Sequence, residues 1–192
     1  MAGYNKTMTK YILHGGFNKE KGDVQINNEF FQEILKDTSK NVKILLVYFA
    51  EREEMIPLRI EQDKKELNKN KGSKILNFKI AREETFLEDC IWADVIYLHG
   101  GRTIKLMGVL KNYKNLDRVF RDKTIAGDSA GVNALGQIFF SPALKMTGEG
   151  LKILPFKTVV HYKEGTPNPL EDIEPNLETL FLKEYETKVF NL

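Results

Sequence analysis

Short apolar runs rich in β-branched and aromatic residues alternate with longer amphipathic stretches along the whole sequence. Tyr11–Leu13 reads as a strand ending in His14-Gly15-Gly16. The stretch Gln25–Lys36 then places Phe30, Phe31, Ile34 and Leu35 on one helical face. Val42–Phe49 is almost unbroken in its apolar character, the pattern of a parallel strand covered on both faces. A charged helix is expected over Glu51–Asn70, with Ile56, Ile60 and Leu67 facing inward. A strand over Lys74–Ile80, a helix around Glu84–Trp92 and a strand over Asp94–Leu98 follow, the last ending in His99-Gly100-Gly101. Thr103 reads as the N-cap of a helix through Leu110. Lys123–Ala126 is the next strand, running into Gly127-Asp128-Ser129-Ala130-Gly131 and a helix around Ala130–Gln137. Beyond it the pattern predicts a looser stretch at Leu144–Met146, a strand at Thr158–Val160 and an acidic Pro-rich loop. A helix over Leu177–Tyr185 and a last strand at Lys188–Leu192 complete it.

Strand–helix alternation at this spacing implies βαβ units, hence an α/β fold: a three-layer sandwich with a mostly parallel central sheet. No linker divides the chain, so residues 1–192 read as one domain, with residues 1–9 a candidate disordered leader. Met1–Thr9 is polar and does not resemble a signal peptide. The longest apolar run, Val42 to Ala50, contains a lysine and falls far short of the ~20 residues of a membrane span. Basic and acidic residues nearly balance, 29 against 27 for a net charge of +2. The cations are mostly scattered lysines, which form a solvated surface rather than a nucleic-acid stripe. The single cysteine, Cys90, excludes an internal disulfide framework and a Cys-rich zinc site. Together these point to a cytoplasmic protein. Its expected partners are a small peptide and, in a homodimer, a second copy of the chain, with neither nucleic acid nor membrane involved.

Ligands of parallel sheets bind beyond the carboxyl ends of the strands, and unusual residues gather there. The pairs Gly15-Gly16 and Gly100-Gly101 allow close backbone approach to a ligand, or simply supply tight turns. Gly127-x-Ser129-x-Gly131 follows a strand and opens a helix, the setting of a nucleophile elbow. A serine at its ordinary acidity needs a base within hydrogen-bond reach. His14, His99 and His161 all fall at strand ends, and each could equally be a buried histidine satisfied by backbone.

Leu98-His99-Gly100-Gly101-Arg102-Thr103, Gly127-Asp128-Ser129-Ala130-Gly131 and Leu151-Lys152-Ile153-Leu154-Pro155-Phe156 leading to His161 resemble the peptidase E family. That family comprises α-aspartyl dipeptidases and, more distantly, cyanophycinases. The resemblance implies the class I glutamine amidotransferase-like fold, with serine in place of the amidotransferase cysteine, and no cofactor. It implies Ser129 as nucleophile and His161 as general base of an acyl-enzyme mechanism on a short peptide or isopeptide bond. The oxyanion donors would be the N–H groups of Ala130 and Gly101, with Gly100 and Arg102 lining the substrate site. Two residues depart from the family pattern: Arg102 stands where a small polar residue is usual, and Asp128 where the residue is usually neutral.

The family's third residue is an acid between serine and histidine in the chain. Glu149 is the one carboxylate in that interval, so the resemblance implies Glu149, with Glu164 and Asp172 as rivals from the following loop. Two other functions stay open at the level of sequence. One is a non-catalytic binding or regulatory protein on the same fold. The other is a metal hydrolase using His14, His99 and His161 as ligands, although no local spacing matches a zinc signature.

Overall fold

The computed structural model describes residues 8–17, 28–142 and 144–192. Six strands form the main sheet: β1 (Lys10–His14), β2 (Asn41–Val47), β3 (Ile75–Ile80), β4 (Val95–Leu98), β5 (Thr124–Asp128) and β10 (Thr187–Asn191). Their order is β10-β1-β5-β4-β2-β3. All neighbours are parallel except β10, which pairs antiparallel with β1. A second sheet has the order β7-β6-β8-β9, built from β6 (Ile138–Ser141), β7 (Met146–Glu149), β8 (Lys157–Val159) and β9 (Thr179–Phe181).

Helices cover both faces of the main sheet, which gives the three layers. On one face, α1 (Asn28–Leu35) and α2 (Ile56–Asn70) close over Ile12, Ile44, Leu46 and Tyr97. Phe30, Phe31, Ile34 and Leu35 of α1 are all buried, as their spacing requires. On the other face, α3 (Phe86–Trp92), α4 (Thr103–Leu110), α5 (Leu116–Val119) and α6 (Ala130–Leu135) pack on Leu13, Leu45, Val47, Ile96 and Leu98. Each fully buried Leu or Ile contributes roughly 1.5–3 kcal/mol, so the central strands hold the layers together. Residues 45–47 of β2 and the whole of β4 are buried on both faces, hence their continuous apolar runs.

Several elements differ from the sequence expectation. The helix expected from Gln25 is described only from Asn28, and its first residues lie outside the described ones. Thr103 is not the N-cap: Arg102 holds that place, and Thr103 is buried as the first helical residue. The helix after Ser129 stops at Leu135, because Gly136 leaves the helical conformation and Ile138–Ser141 then pairs antiparallel with Met146–Glu149 as β6 and β7. The helix expected over Leu177–Tyr185 is instead β9 and a turn. Leu177, Leu180, Phe181 and Tyr185 mimic helical spacing. Burial instead follows the two-residue period of Leu180 and Leu182, the period of a strand against β8. Of the candidate leader, Thr9 pairs with Leu192 in both directions, beside β1, and residues 1–7 lie outside the described ones.

Candidate active site

Ser129 stands between β5 and α6 with φ 44° and ψ −92°, a conformation that L residues rarely hold. Such strain costs on the order of 1–3 kcal/mol and persists only where the surroundings enforce it. Here the Ser129 N–H donates to His14 O at 3.0 Å, and its carbonyl accepts the Asn133 N–H at 3.1 Å. The flanking glycines are steric requirements. A Cβ on Gly131 would lie 2.4 Å from Leu98 O, and one on Gly127 would lie 2.9 Å from the Gly131 carbonyl carbon. Ser129 is half-buried while Asp128 and Ala130 are buried, so the elbow lifts this one side chain toward solvent.

His161 follows β8 with φ 52°, its N–H donating to Gly15 O at 3.0 Å. Its Nε2 lies 3.0 Å from Ser129 Oγ, and its Nδ1 lies 3.4 Å from Oε1 of Glu184. The imidazole rests directly on Gly16: a Cβ there would stand 2.3 Å from Nε2, and φ is +105°. Glu184 occupies the turn after β9, which is fastened to the end of β1. Tyr185 N–H donates to Gly16 O and Gly15 N–H to Glu186 O, both at 2.9 Å. Three consecutive residues, His14 to Gly16, therefore hold the segments bearing Ser129, His161 and Glu184. A buried side-chain relay also ties the elements together. Thr158 Oγ1 of β8 donates to Asn133 Oδ1 at 2.9 Å, and Asn133 Nδ2 donates to Thr103 Oγ1 at 3.2 Å.

Gly101, with φ +145°, sits where a Cβ would be 2.5 Å from Ala50 O, and Arg102 N–H donates to that same carbonyl at 2.8 Å. Gly101 and Arg102 are exposed at the start of α4. Ala130 opens α6, so its N–H has no acceptor one helical turn back.

Glu149 is not brought to His161. It lies on β7 in register with Ile138, which pairs in turn with Lys157 at the start of β8. Glu149 is thus two strand spacings away, roughly 10 Å, and at the opposite end of β8 from the histidine. Its side chain is 66% exposed and faces Lys152 Nζ at 3.7 Å. Glu164 is paired with Lys183 at 2.7 Å, a contact that holds its carboxyl below the usual range, and Asp172 is exposed. The carboxylate beside His161 is Glu184, which the sequence reading placed on a helix and outside the serine–histidine interval.

The other two histidines are occupied elsewhere. His14 is fully buried, with Nδ1 2.8 Å from Asp128 Oδ1. His99 Nδ1 lies 2.9 Å from Asp63 Oδ2, a close ion-pair contact. Burial alone would push the His99 pKa down, but the Asp63 carboxylate outweighs it and holds the value above the ordinary one. Among the described residues no group of three His, Cys, Asp or Glu side chains converges as a metal site. Among the same residues no helix is long and apolar enough to cross a membrane. Cys90 is buried in the core, where desolvation pushes its thiol up to about 12.

The sequence matches peptidase family S51 over residues 11–187. No curated protein matches it. Among solved structures, a peptidase from an acI-B1 Actinobacterium superposes with a TM-score of 0.68 at 18% identity, covering 96% of this chain and 84% of that one. A protein named as a candidate peptidase E from Listeria monocytogenes EGD-e superposes with a TM-score of 0.60 at 16% identity, covering 96% and 98%. At such identities the two structures speak to the fold, and they share the mixed α/β architecture. The family match extends from β1 to β10 and includes every element described around Ser129, so the chain belongs to peptidase family S51 and is a serine-type peptidase.

Proposed function

We propose that the chain hydrolyses a short peptide or an isopeptide bond through an acyl-enzyme on Ser129. The observation that carries this reading is the 3.0 Å contact between Ser129 Oγ and His161 Nε2 at a strained, partly exposed elbow. In the first step His161 takes the hydroxyl proton as Oγ attacks the substrate carbonyl. The N–H groups of Ala130 and Gly101 receive the oxyanion, and the positive end of the α6 dipole adds to them. His161 then returns the proton to the leaving amine, and water repeats the sequence to release the acid. Glu184, rather than Glu149, accepts the second imidazole N–H, fixing the tautomer and stabilising the imidazolium.

Arg102, exposed beside Gly101 and in no ion pair among the described residues, is suited to a substrate carboxylate. Gly100 is buried and its bare Cα faces the Asp128 carboxylate, so the substrate contacts expected of that turn fall to Gly101 and Arg102. The substrate is thus a small peptide with an acidic side chain or a free C-terminal carboxylate near the cleaved bond. The test is labelling by a fluorophosphonate probe, followed by a dipeptide screen that includes N-terminal Asp, Glu and Arg series. Labelling and turnover in the wild type, both lost in Ser129→Ala, are the expected outcome. A wild type that neither labels nor turns over any member would overturn the reading in favour of a binding protein.

A further inference from the structure

The residue before the nucleophile is a carboxylic acid that acyl transfer does not use. Asp128 ends β5 at 3% exposure, and its Oδ1 lies 2.8 Å from His14 Nδ1 across the parallel pairing of β1 with β5. Its Oδ2 presses on the next strand's loop, since a Cβ at Gly100 would stand 2.4 Å from that oxygen. One residue before the serine, a carboxylate is therefore buried against the glycine turn that contributes Gly101 to the proposed oxyanion site. An uncompensated negative charge at that place opposes the oxyanion that forms over the same turn, and burial strengthens the effect by excluding water.

Among the described residues, the one hydrogen-bonding side chain that His14 meets is this carboxylate, through Nδ1. The ring is wholly buried, with the Phe17 and Phe30 rings at centroid distances of 4.6 and 4.7 Å. Its Nε2 has no partner, and its Nδ1 faces Asp128 and, at 3.3 Å, the Gly16 N–H. An ionised carboxylate only accepts, so Nδ1 carries the hydrogen given to Asp128, and the Gly16 N–H is a close neighbour rather than a second partner. Among the described residues no hydrogen bond or ring contact joins the His14 side chain to the Ser129 hydroxyl or the His161 imidazole.

We propose that His14 is a positioning residue for acyl transfer. It hydrogen-bonds and screens the Asp128 carboxylate, which would otherwise oppose the oxyanion beside Gly100-Gly101. The proposal rests on Ser129 being the nucleophile.

The experiment is a charge-rescue cycle on the full chain, read by fluorophosphonate acylation rate and by kcat and KM on the best dipeptide. His14→Leu removes the partner, Asp128→Asn removes the charge, and the double variant removes both. His14→Leu should slow acylation and kcat roughly 10- to 100-fold with KM within about threefold, because the ground state carries no oxyanion. In the Asp128→Asn background the same change should cost less than about threefold. His14→Gln, which keeps a donor, should recover most of the rate and covers the case in which His14→Leu fails to fold. An equal loss from His14→Leu in both backgrounds overturns the proposal, as does a wild-type rate in His14→Leu. A wild type that resists the probe instead overturns the assignment of Ser129, and the role of the pair with it.

Discussion

Glu184 Oε1 lies 3.4 Å from His161 Nδ1, on the atom of the imidazole not engaged by Ser129. Both side chains are about one-third exposed, 31% for the histidine and 34% for the glutamate, so water screens the pair. Glu184→Gln should lower kcat by roughly 10- to 100-fold, less than a fully buried acid would give, by presenting an amide where the imidazole needs an acceptor. Glu149→Gln, altered on the exposed edge of the second sheet, should leave kcat unchanged. Parallel steady-state kinetics on the two variants checks this, and the opposite ranking would return the acid to the interval between serine and histidine.

Ser129 and His161 should behave as one unit. Each alanine substitution is expected to cost about 10³-fold or more in kcat, with the double variant little worse than either alone. Losses that multiply would show that the two residues act in separate steps.

Gly16 is the floor under the imidazole. A methyl group there would collide with the His161 ring at 2.3 Å, in a backbone conformation that already disfavours a side chain. The ring can yield only by leaving Ser129. Gly16→Ala should thus reduce kcat by on the order of 10²-fold while costing about 1–3 kcal/mol of stability through the strained φ. Measuring kcat beside a denaturant titration separates the two effects.

The His99–Asp63 pair makes stability depend on pH. The folded state raises the His99 pKa above its ordinary value of 6.5, so folding favours the protonated form. The stabilisation is fully present below the ordinary value and is lost as pH rises through the raised folded-state value. Thermal unfolding followed from acidic to alkaline pH should show Tm falling across that window. The slope should flatten in Asp63→Asn, and an unaltered slope would assign it to another group.

Cys90 should resist iodoacetamide in the native protein at neutral pH, because burial leaves almost no thiolate when the thiol is pushed up to about 12. Full alkylation under native conditions, followed by mass spectrometry, would contradict its place in the core.

The parallel sheet, its two helical faces and the elbow at Ser129 were legible because each has a strong local signature: continuous apolar strands, amphipathic helices and glycines that exclude any side chain. The pairing of Ser129 with His161 was legible only through resemblance, since all three histidines end strands and periodicity does not choose among them. Glu184 was hidden for two physical reasons. Leu177-Glu178-Thr179-Leu180-Phe181 satisfies a helical and a strand period at once, and only pairing with β8 selects the strand. The acid also reaches the histidine from the turn after β9, beyond the interval in which the resemblance placed it. Asp128 was visible as a departure, but its burial against His14 is a tertiary fact that no local pattern carries.

The clamp formed by His14, Gly15 and Gly16 has a consequence for the order of events during folding. It receives hydrogen bonds from residues 129, 161 and 185 and gives one to residue 186, contacts that span most of the described chain. Closing loops of that length is expected to come late, after the local helices and the neighbouring β2–β3 and β2–β4 pairings. On the proposed mechanism, partly folded forms carry Ser129 apart from His161, so hydrolytic activity is expected to return only with the last cooperative phase of refolding.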